Sequence, residues 1–93
     1  MTLTSKQRAE LRAQAHHLPV MVHVGHQGAT EAVRQSLDDA LRTKELVKIQ
    51  FSKTADIDAR SAANDLAAQV GADVVQTIGR TATLYRENPD LHK

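Results

Sequence analysis

Apolar residues recur at helical spacing in two segments in the middle of the chain. After Thr30 they are Val33, Leu37, Ala40 and Leu41, and before Gly71 they are Ala59, Ala62, Ala63, Leu66, Ala67 and Val70. Each set forms one apolar stripe, so each segment is predicted to be an amphipathic helix packed on a core. Thr30 and Asp56 are residues of the types that cap helix starts, and Gly71 stands where a left-handed C-cap is expected.

A further helix is predicted near the N-terminus. Thr4 and Gln7 have the spacing of a capping box. The segment Ser5–Ala15 that follows is rich in good helix formers. Leu18-Pro19 ends it, because proline lacks an N–H and disfavours helical geometry in the residue before it.

Four short segments have the pattern of strands. Val20–Val24 is β-branched and apolar apart from His23, and residues 47–51 alternate between apolar and polar. Residues 74–78 and 81–85 are also rich in β-formers, and Gly79-Arg80 between them suits a type II′ hairpin turn.

The element order α-β-α-β-α-β-β predicts an α+β fold of the α/β sandwich type. Strand–helix–strand connections favour parallel pairing, whereas the last two strands must be antiparallel. The result is a four-stranded mixed sheet with helices packed on it. The length of 93 residues fits one domain, which we expect to span residues 1–87, with a frayed tail at 88–93.

Composition excludes several classes of protein. The chain has no cysteine, so it has no disulfide and no thiolate zinc site. The polar N-terminus is unlike a secretory signal, and no apolar run approaches the roughly 20 residues that cross a bilayer. We therefore expect a soluble, cytoplasmic protein. The net charge of +1 is spread unevenly, so the fold has either one basic and one acidic side or an ordinary mixed surface.

The loop Gly25-His26-Gln27-Gly28 is the most informative local feature. It joins a predicted strand to a capped helix, where unpaired N–H groups and a partial positive charge can hold a phosphate. The loop lacks the third glycine of a dinucleotide fingerprint and the lysine of a P-loop. An ordinary strand-to-helix turn is the alternative interpretation of the same residues.

Other chemistry has little support in the sequence. Four histidines lie close together along the chain, but without metal-ligand spacing, so no metal site is expected; they are His16, His17, His23 and His26. No nucleophile–base motif accompanies the serines, so no catalytic residues are predicted. Phe51 and Tyr85 are too few to stack successive bases, so any RNA binding would rely on backbone contacts and shape.

Taken together, these residues resemble the CRM domain family, in particular its stand-alone bacterial YhbY-type members. The similarity runs through Val22–Gly25, Gly28, Thr30-Glu31, Ala40-Leu41 and Glu45–Ile49 to Ile78–Thr81 and Leu84–Arg86. The opening Lys6-Gln7-Arg8, Leu11-Arg12 and Ala15-His16 also fit the family. The resemblance implies a fold similar to the C-terminal domain of initiation factor three. It also implies an RNA-binding protein, without cofactor or small-molecule substrate, that associates with precursors of the large ribosomal subunit.

Site residues can be assigned on the same basis. The resemblance implies RNA contacts by the loop residues Gly25, His26, Gln27 and Gly28 and by the basic residues Lys48, Arg86, Arg80, Arg8 and Arg12. Apart from the resemblance, we expect the helix start at Thr30 to help hold a phosphate, and Arg34, about one turn later, to extend the track along the RNA backbone. His26-Gln27 stand where many members carry a basic residue, which implies weaker attraction for phosphate.

Three alternatives to a ribosome assembly factor stay open from the sequence. The chain could use the same sheet face to bind a protein partner, or act as an RNA chaperone on a non-ribosomal RNA. It could also be a small metal-binding protein that uses the histidine cluster. We expect a monomer that does not associate with membranes.

Overall fold

The structure, a computed structural model, describes residues 3–25, 30–53 and 58–88. Its helices are α1 (Ser5–Ala15), α2 (Glu31–Lys44) and α3 (Ala59–Val70). Its strands are β1 (Val22–Val24), β2 (Leu46–Phe51), β3 (Asp73–Ile78) and β4 (Thr81–Tyr85). One sheet contains the strands in the order β1-β2-β4-β3, with β1 and β2 parallel and the other two pairs antiparallel. The predicted α+β fold with a mixed sheet is confirmed.

The helix ends follow the capping residues of the sequence. The capping box is formed, since Gln7 N donates to Thr4 Oγ1 (3.1 Å) and Thr4 N donates to Gln7 Oε1 (3.0 Å). Gly71 ends α3 with a φ of 68°, as predicted for a left-handed cap. The predicted cap Asp56 lies outside the described residues, and the cap position of α3 is at Asp58, directly before Ala59.

The strands differ from prediction mainly at their ends. β1 begins at Val22 and not at Val20, although Met21 N already donates to Lys48 O at 2.9 Å. The turn after β3 has Gly79 at a φ of 58°, while Arg80 is outside the left-handed region. A type II′ turn requires this combination.

The main core lies between one sheet face and helices α2 and α3. Alternate residues of β2 point into it, and each fully buried aliphatic side chain of this size contributes roughly 1.5–3 kcal/mol to folding. The core residues are Val22, Val24, Leu37, Leu41, Val47, Ile49, Phe51, Ala63, Leu66, Ala67, Val70, Ala82 and Leu84. The helical stripes predicted from the sequence supply the helix side of this core.

Helix α1 packs on the opposite face of the sheet and covers part of it. Its apolar contacts centre on Leu3, Leu46 and Val75, with the half-buried Tyr85 beside them. Burial, with smaller effects of Glu45 and Glu87, raises the pKa of the Tyr85 hydroxyl. Val74 pairs with Leu84 on the core face, and Val75 points to the α1 side. A register shift between Val74 and Gln76 then places Gln76 opposite Thr83 on this same side, followed by Ile78 opposite Thr81.

Arg86 ties the two helices of the main core together. Its Nη1 donates to Asp38 Oδ1 on α2 (2.6 Å) and to the Val70 carbonyl at the end of α3 (2.8 Å). Its Nη2 donates to the Asp38 carbonyl (3.1 Å). The hydrogen bond from Arg86, assisted by the charge of Arg42, holds the pKa of the Asp38 carboxyl below its ordinary value.

We therefore predict that Asp38→Asn lowers the free energy of unfolding at pH 7 by about 1 kcal/mol, a value reduced for partial solvent exposure. Because the pKa is lowered in the folded state, the stabilisation is present above the ordinary carboxyl value of 3.8 and is lost as the pH falls below it. Urea unfolding at pH 7 and at pH 3 measures both effects.

The matched control is Asp65→Asn, since Asp65 is exposed on α3 and forms no ion pair within the described residues. We expect the two variants to differ at pH 7 and to converge in acid. An equal stability of both variants at pH 7 would contradict the role given to Arg86.

Candidate functional site

The predicted loop begins at the end of β1, at one edge of the sheet. Gly25 is exposed, and a Cβ built on it would meet nothing within 4 Å. Its φ is outside the left-handed region. Packing within the described residues therefore does not require glycine at position 25. His26, Gln27 and Gly28 lie outside the described residues.

Helix α2 begins on the far side of the loop. Thr30 is its N-cap, and Val33 N donates to Thr30 Oγ1 at 3.2 Å, as predicted for this threonine. The cap satisfies one N–H of the first turn, and a helix start has several without a partner in the helix. These groups and the helix dipole make the start of α2 attractive to an anion.

The topology brings a second helix start to the same edge. α2 and α3 each follow the carboxyl end of one of the two parallel strands, β1 and β2, and run back along the sheet. Asp58 at the start of α3 makes no side-chain hydrogen bond to the helix backbone, and its carboxylate accepts from Ser61 Oγ at 2.9 Å. Both helix dipoles therefore have their positive ends at the edge where Gly25 lies.

The turn between β3 and β4 lies at the same edge, next to the end of β2. Arg80 Nη1 donates to the Ser52 carbonyl (3.1 Å), and Phe51 N donates to the Arg80 carbonyl (2.7 Å). A shallow hollow of about 360 Å³ lies between this turn and Gly25. We call it the edge hollow; its lining is His23, Val24, Gly25, Gln50, Phe51, Ser52, Lys53 and Arg80. Among the described residues, this lining contains Lys53 and Arg80 and no aspartate or glutamate.

Three of the basic side chains predicted to bind RNA are used within the fold. Arg86 is bound to Asp38 and Val70, as described above. Arg8 Nη1 donates to the carbonyls of Val74 and Val75 at the bulge in β3. Lys48 Nζ donates to the Ala15 carbonyl (3.2 Å), at the end of α1. Each of these cations satisfies backbone carbonyls near a helix or strand end, which the sequence pattern did not reveal.

The remaining predicted basic residues lie at three separate places. Arg34 forms an ion pair with Glu31, so the charge of the acidic residue in the first turn of α2 is balanced. Arg12 is exposed on α1 and lines no part of the edge hollow. Arg80 is exposed and does line it. The structure thus brings Gly25 and Arg80 together, with Thr30 at the other end of the loop.

Lys53 and His23 are members of the edge hollow that the sequence did not single out as site residues. Lys53 comes just after β2 and has no recognisable motif around it. The sequence predicts His23 to be a strand residue, and in β1 it is exposed between the buried residues Val22 and Val24. Alternation along the strand was the available indication that His23 faces away from the core.

Two of the four histidines that lie close together in the sequence line different hollows. His16, at the end of α1, lines a smaller hollow with Lys48, Gln76 and Thr83, and His23 lines the edge hollow. Within residues 3–25, 30–53 and 58–88, no three His, Cys, Asp or Glu side chains are placed to share a metal ion. His26 is outside these ranges. In the same ranges, no helix has the length and apolar character to span a membrane.

Comparison with known families gives a match over nearly the whole chain. The family described as the CRS1 / YhbY (CRM) domain matches residues 3–86. The chain belongs to the CRM family. The resemblance seen in the sequence is therefore confirmed.

The chain is similar to proteins of several bacteria, one of which has a solved structure. A probable RNA-binding protein of Pseudomonas aeruginosa is 37% identical over 93 residues, which is 100% of this chain and 89% of the relative. The probable RNA-binding protein YqeI of Bacillus subtilis is 34% identical over 95% of this chain and 92% of its own length. A Staphylococcus aureus protein proposed to bind RNA has a solution structure with a TM-score of 0.81 and 31% identity, covering 94% of this chain and 91% of that one.

Gly25 and Gly71 of this CRM domain should respond differently to substitution. Gly25→Ala is expected to leave the free energy of unfolding within about 0.5 kcal/mol of the wild type, since the added Cβ meets open space. Gly71→Ala is expected to cost about 1 kcal/mol, because φ is 68° there. Urea unfolding of both variants checks this, and a large loss in Gly25→Ala would mean that position 25 has a structural role.

Proposed function

We propose that this chain is an RNA-binding protein that holds the RNA phosphate backbone at the edge of its sheet. The supporting observation is that Gly25, from which the loop leads to the capped start of α2, lines one hollow with the exposed Lys53 and Arg80, and that no acidic residue of the described ranges lines it. The names of the relatives from Pseudomonas and Bacillus support RNA as the ligand.

In this proposal a phosphate binds at the loop 25–28 and the first turn of α2. Backbone N–H groups donate to its oxygens, and Gly25 leaves room for the RNA backbone to approach. The ion pair with Arg34 offsets the charge of Glu31, which would otherwise repel the phosphate. Arg80 and Lys53 attract the neighbouring phosphate from the opposite wall of the edge hollow.

Other predicted RNA contacts have a smaller part in this mechanism. Lys48, Arg8 and Arg86 donate to carbonyl oxygens within the fold, and an RNA phosphate would have to compete with those bonds. We propose that they shape the surface rather than provide its main charge. His26, Gln27 and Gly28 stay assigned to the loop, and Arg12 to a contact outside the hollow.

We further propose that the RNA is that of large ribosomal subunit precursors in the cytoplasm. The chain would act there as a monomeric assembly factor or RNA chaperone, and it would bind rather than catalyse. The family resemblance supports this assignment, as does a site built from backbone amides and cations that suits a phosphate backbone. Such contacts provide little sequence specificity, so particle geometry would have to select the site.

Arg80→Gln should weaken binding to a short single-stranded RNA about threefold to tenfold at low salt, through loss of a charge-assisted contact. The slope of log affinity against log salt should also decrease by about 0.7, the value for one phosphate on a single strand. Fluorescence anisotropy with a labelled RNA at several salt concentrations measures both quantities.

Arg42→Gln is the matched control, because Arg42 is equally a surface arginine but lies near the C-terminal end of α2, away from the edge hollow. We expect it to bind like the wild type. If the two variants behave alike, Arg80 is not an RNA contact. If wild-type binding is insensitive to salt, the phosphate mechanism is wrong.

The ribosomal assignment is tested by sucrose-gradient sedimentation of the tagged protein from gently lysed cells, with and without RNase. We expect nuclease-sensitive migration with incomplete large-subunit particles. Migration at the top of the gradient in low salt would contradict that assignment and favour a non-ribosomal RNA. Nuclease-resistant migration with another protein would favour the sheet face as a protein-binding surface.

A further inference from the structure

We propose that four side chains across the uncovered sheet face contact unpaired nucleobases of the bound RNA. The strand register places His23 opposite Gln50, Gln50 opposite Thr81, and Thr81 opposite Ile78. We call these four residues the cross-strand row. The inference rests on the proposed RNA-binding function and assigns to that site a base-contacting surface.

The cross-strand row lies on the face that carries α1, but beyond the end of that helix. On this face α1 covers Leu46, Val75 and Tyr85, which lie at the opposite end of the strands. The row is open: His23 and Gln50 are exposed, Thr81 is half-buried, and Ile78 is 60% exposed. Ile78 is the one large apolar side chain exposed to this degree among the described residues.

Charge favours a polyanion as the occupant of this face. Two hollows adjoin the row, and within the described residues their lining includes Arg80, Lys53 and Lys48 but no aspartate or glutamate. The face also continues directly into the edge hollow, where His23 and Gln50 are part of the lining.

The chemistry of the row suits base edges. An amide such as that of Gln50 can both donate and accept, as can the hydroxyl of Thr81, and Watson–Crick edges combine donors and acceptors in the same way. Ile78 offers an apolar surface to a base at the end of the row. Four positions on neighbouring strands span about 14 Å, which is long enough to seat more than one unstacked base.

Base recognition here would differ from the stacking that many RNA-binding sheets use. Phe51 lies in the main core and Tyr85 lies beneath α1, so neither ring reaches the row. The contacts are therefore made to base edges, with the phosphates held at the adjoining edge hollow. This adds modest base discrimination to a phosphate contact that has none.

The test is a thermodynamic cycle between protein and RNA. The binding of a short single-stranded RNA is compared with that of the same strand carrying abasic sugars at consecutive positions. Both are measured against the wild type and a Gln50→Leu/Thr81→Val variant. These substitutions remove the polar atoms at exposed or half-buried strand positions and keep the size of the side chains, so we expect the variant to fold.

For the wild type, removing the bases should weaken binding about threefold to tenfold, the effect of one or two hydrogen bonds. For the variant, removing the bases should have little effect. The control variant Gln69→Leu, on the exposed surface of α3, should behave like the wild type.

If removal of the bases has the same effect on the wild type and the Gln50→Leu/Thr81→Val variant, the row does not contact bases and the inference is wrong. The salt slope and the Arg80→Gln effect are measured on the same abasic strand, which retains its phosphates. Their loss would overturn the proposed function instead, so the two failures can be told apart.

Discussion

The rest of the structure depends on one constraint, the burial of one face of β2 against helices α2 and α3. Val47, Ile49 and Phe51 occupy alternate positions, and all three are buried against α2 and α3. Because the side chains of a strand alternate, Lys48 and Gln50 must point to the other face, and a slip of one residue would exchange the two sets. Because β1 and β4 pair with β2, the facing of β2 also fixes which of their side chains point into the core. The exposed row across the sheet is thus a consequence of how the core is filled.

Helix α1 covers one end of the second sheet face and leaves the other end open. The basic residues at the covered end bind within the fold, and those at the open end are candidates for RNA binding. At the covered end, Arg8 and Lys48 donate to carbonyls of β3 and of the end of α1, and they attach the helix to the sheet. At the open end, Arg80 is exposed, and its Nη1 donates one hydrogen bond to the Ser52 carbonyl, which orients the guanidinium. A buried or half-buried cation needs its carbonyl partners, since an unsatisfied charge there is costly. A basic residue therefore stabilises the fold at the covered end of the sheet and is available to a ligand at the open end.

The candidate site could be predicted in part. Residues placed by local interactions were predictable from the sequence, whereas residues placed by contacts between distant parts of the chain were not. Thr30 and Gly25 belong to a local strand–loop–helix segment, where capping and loop chemistry depend on residues a few positions apart. Arg80 reaches the same edge through a hairpin turn far along the chain, and its hydrogen bond to Ser52 spans 28 positions. Lys53 has no motif of its own. Arg86 was placed at the RNA surface by family resemblance, whereas its contacts with Asp38 and Val70 depend on how the C-terminal strand meets two helices.

The sequence by itself determined the elements and their order, because helical and strand periodicity, the capping box and the glycine cap are local patterns that burial and backbone geometry require. It also determined membership of the CRM family, through residues spread over nearly the whole chain. Tertiary structure alone decided which cations are bound within the fold, how far α1 covers the sheet, and which side chains share the open face. These depend on contacts between residues distant in sequence, on the bulge in β3 that places Ile78 beside Thr81 on the open face, and on a register set by packing.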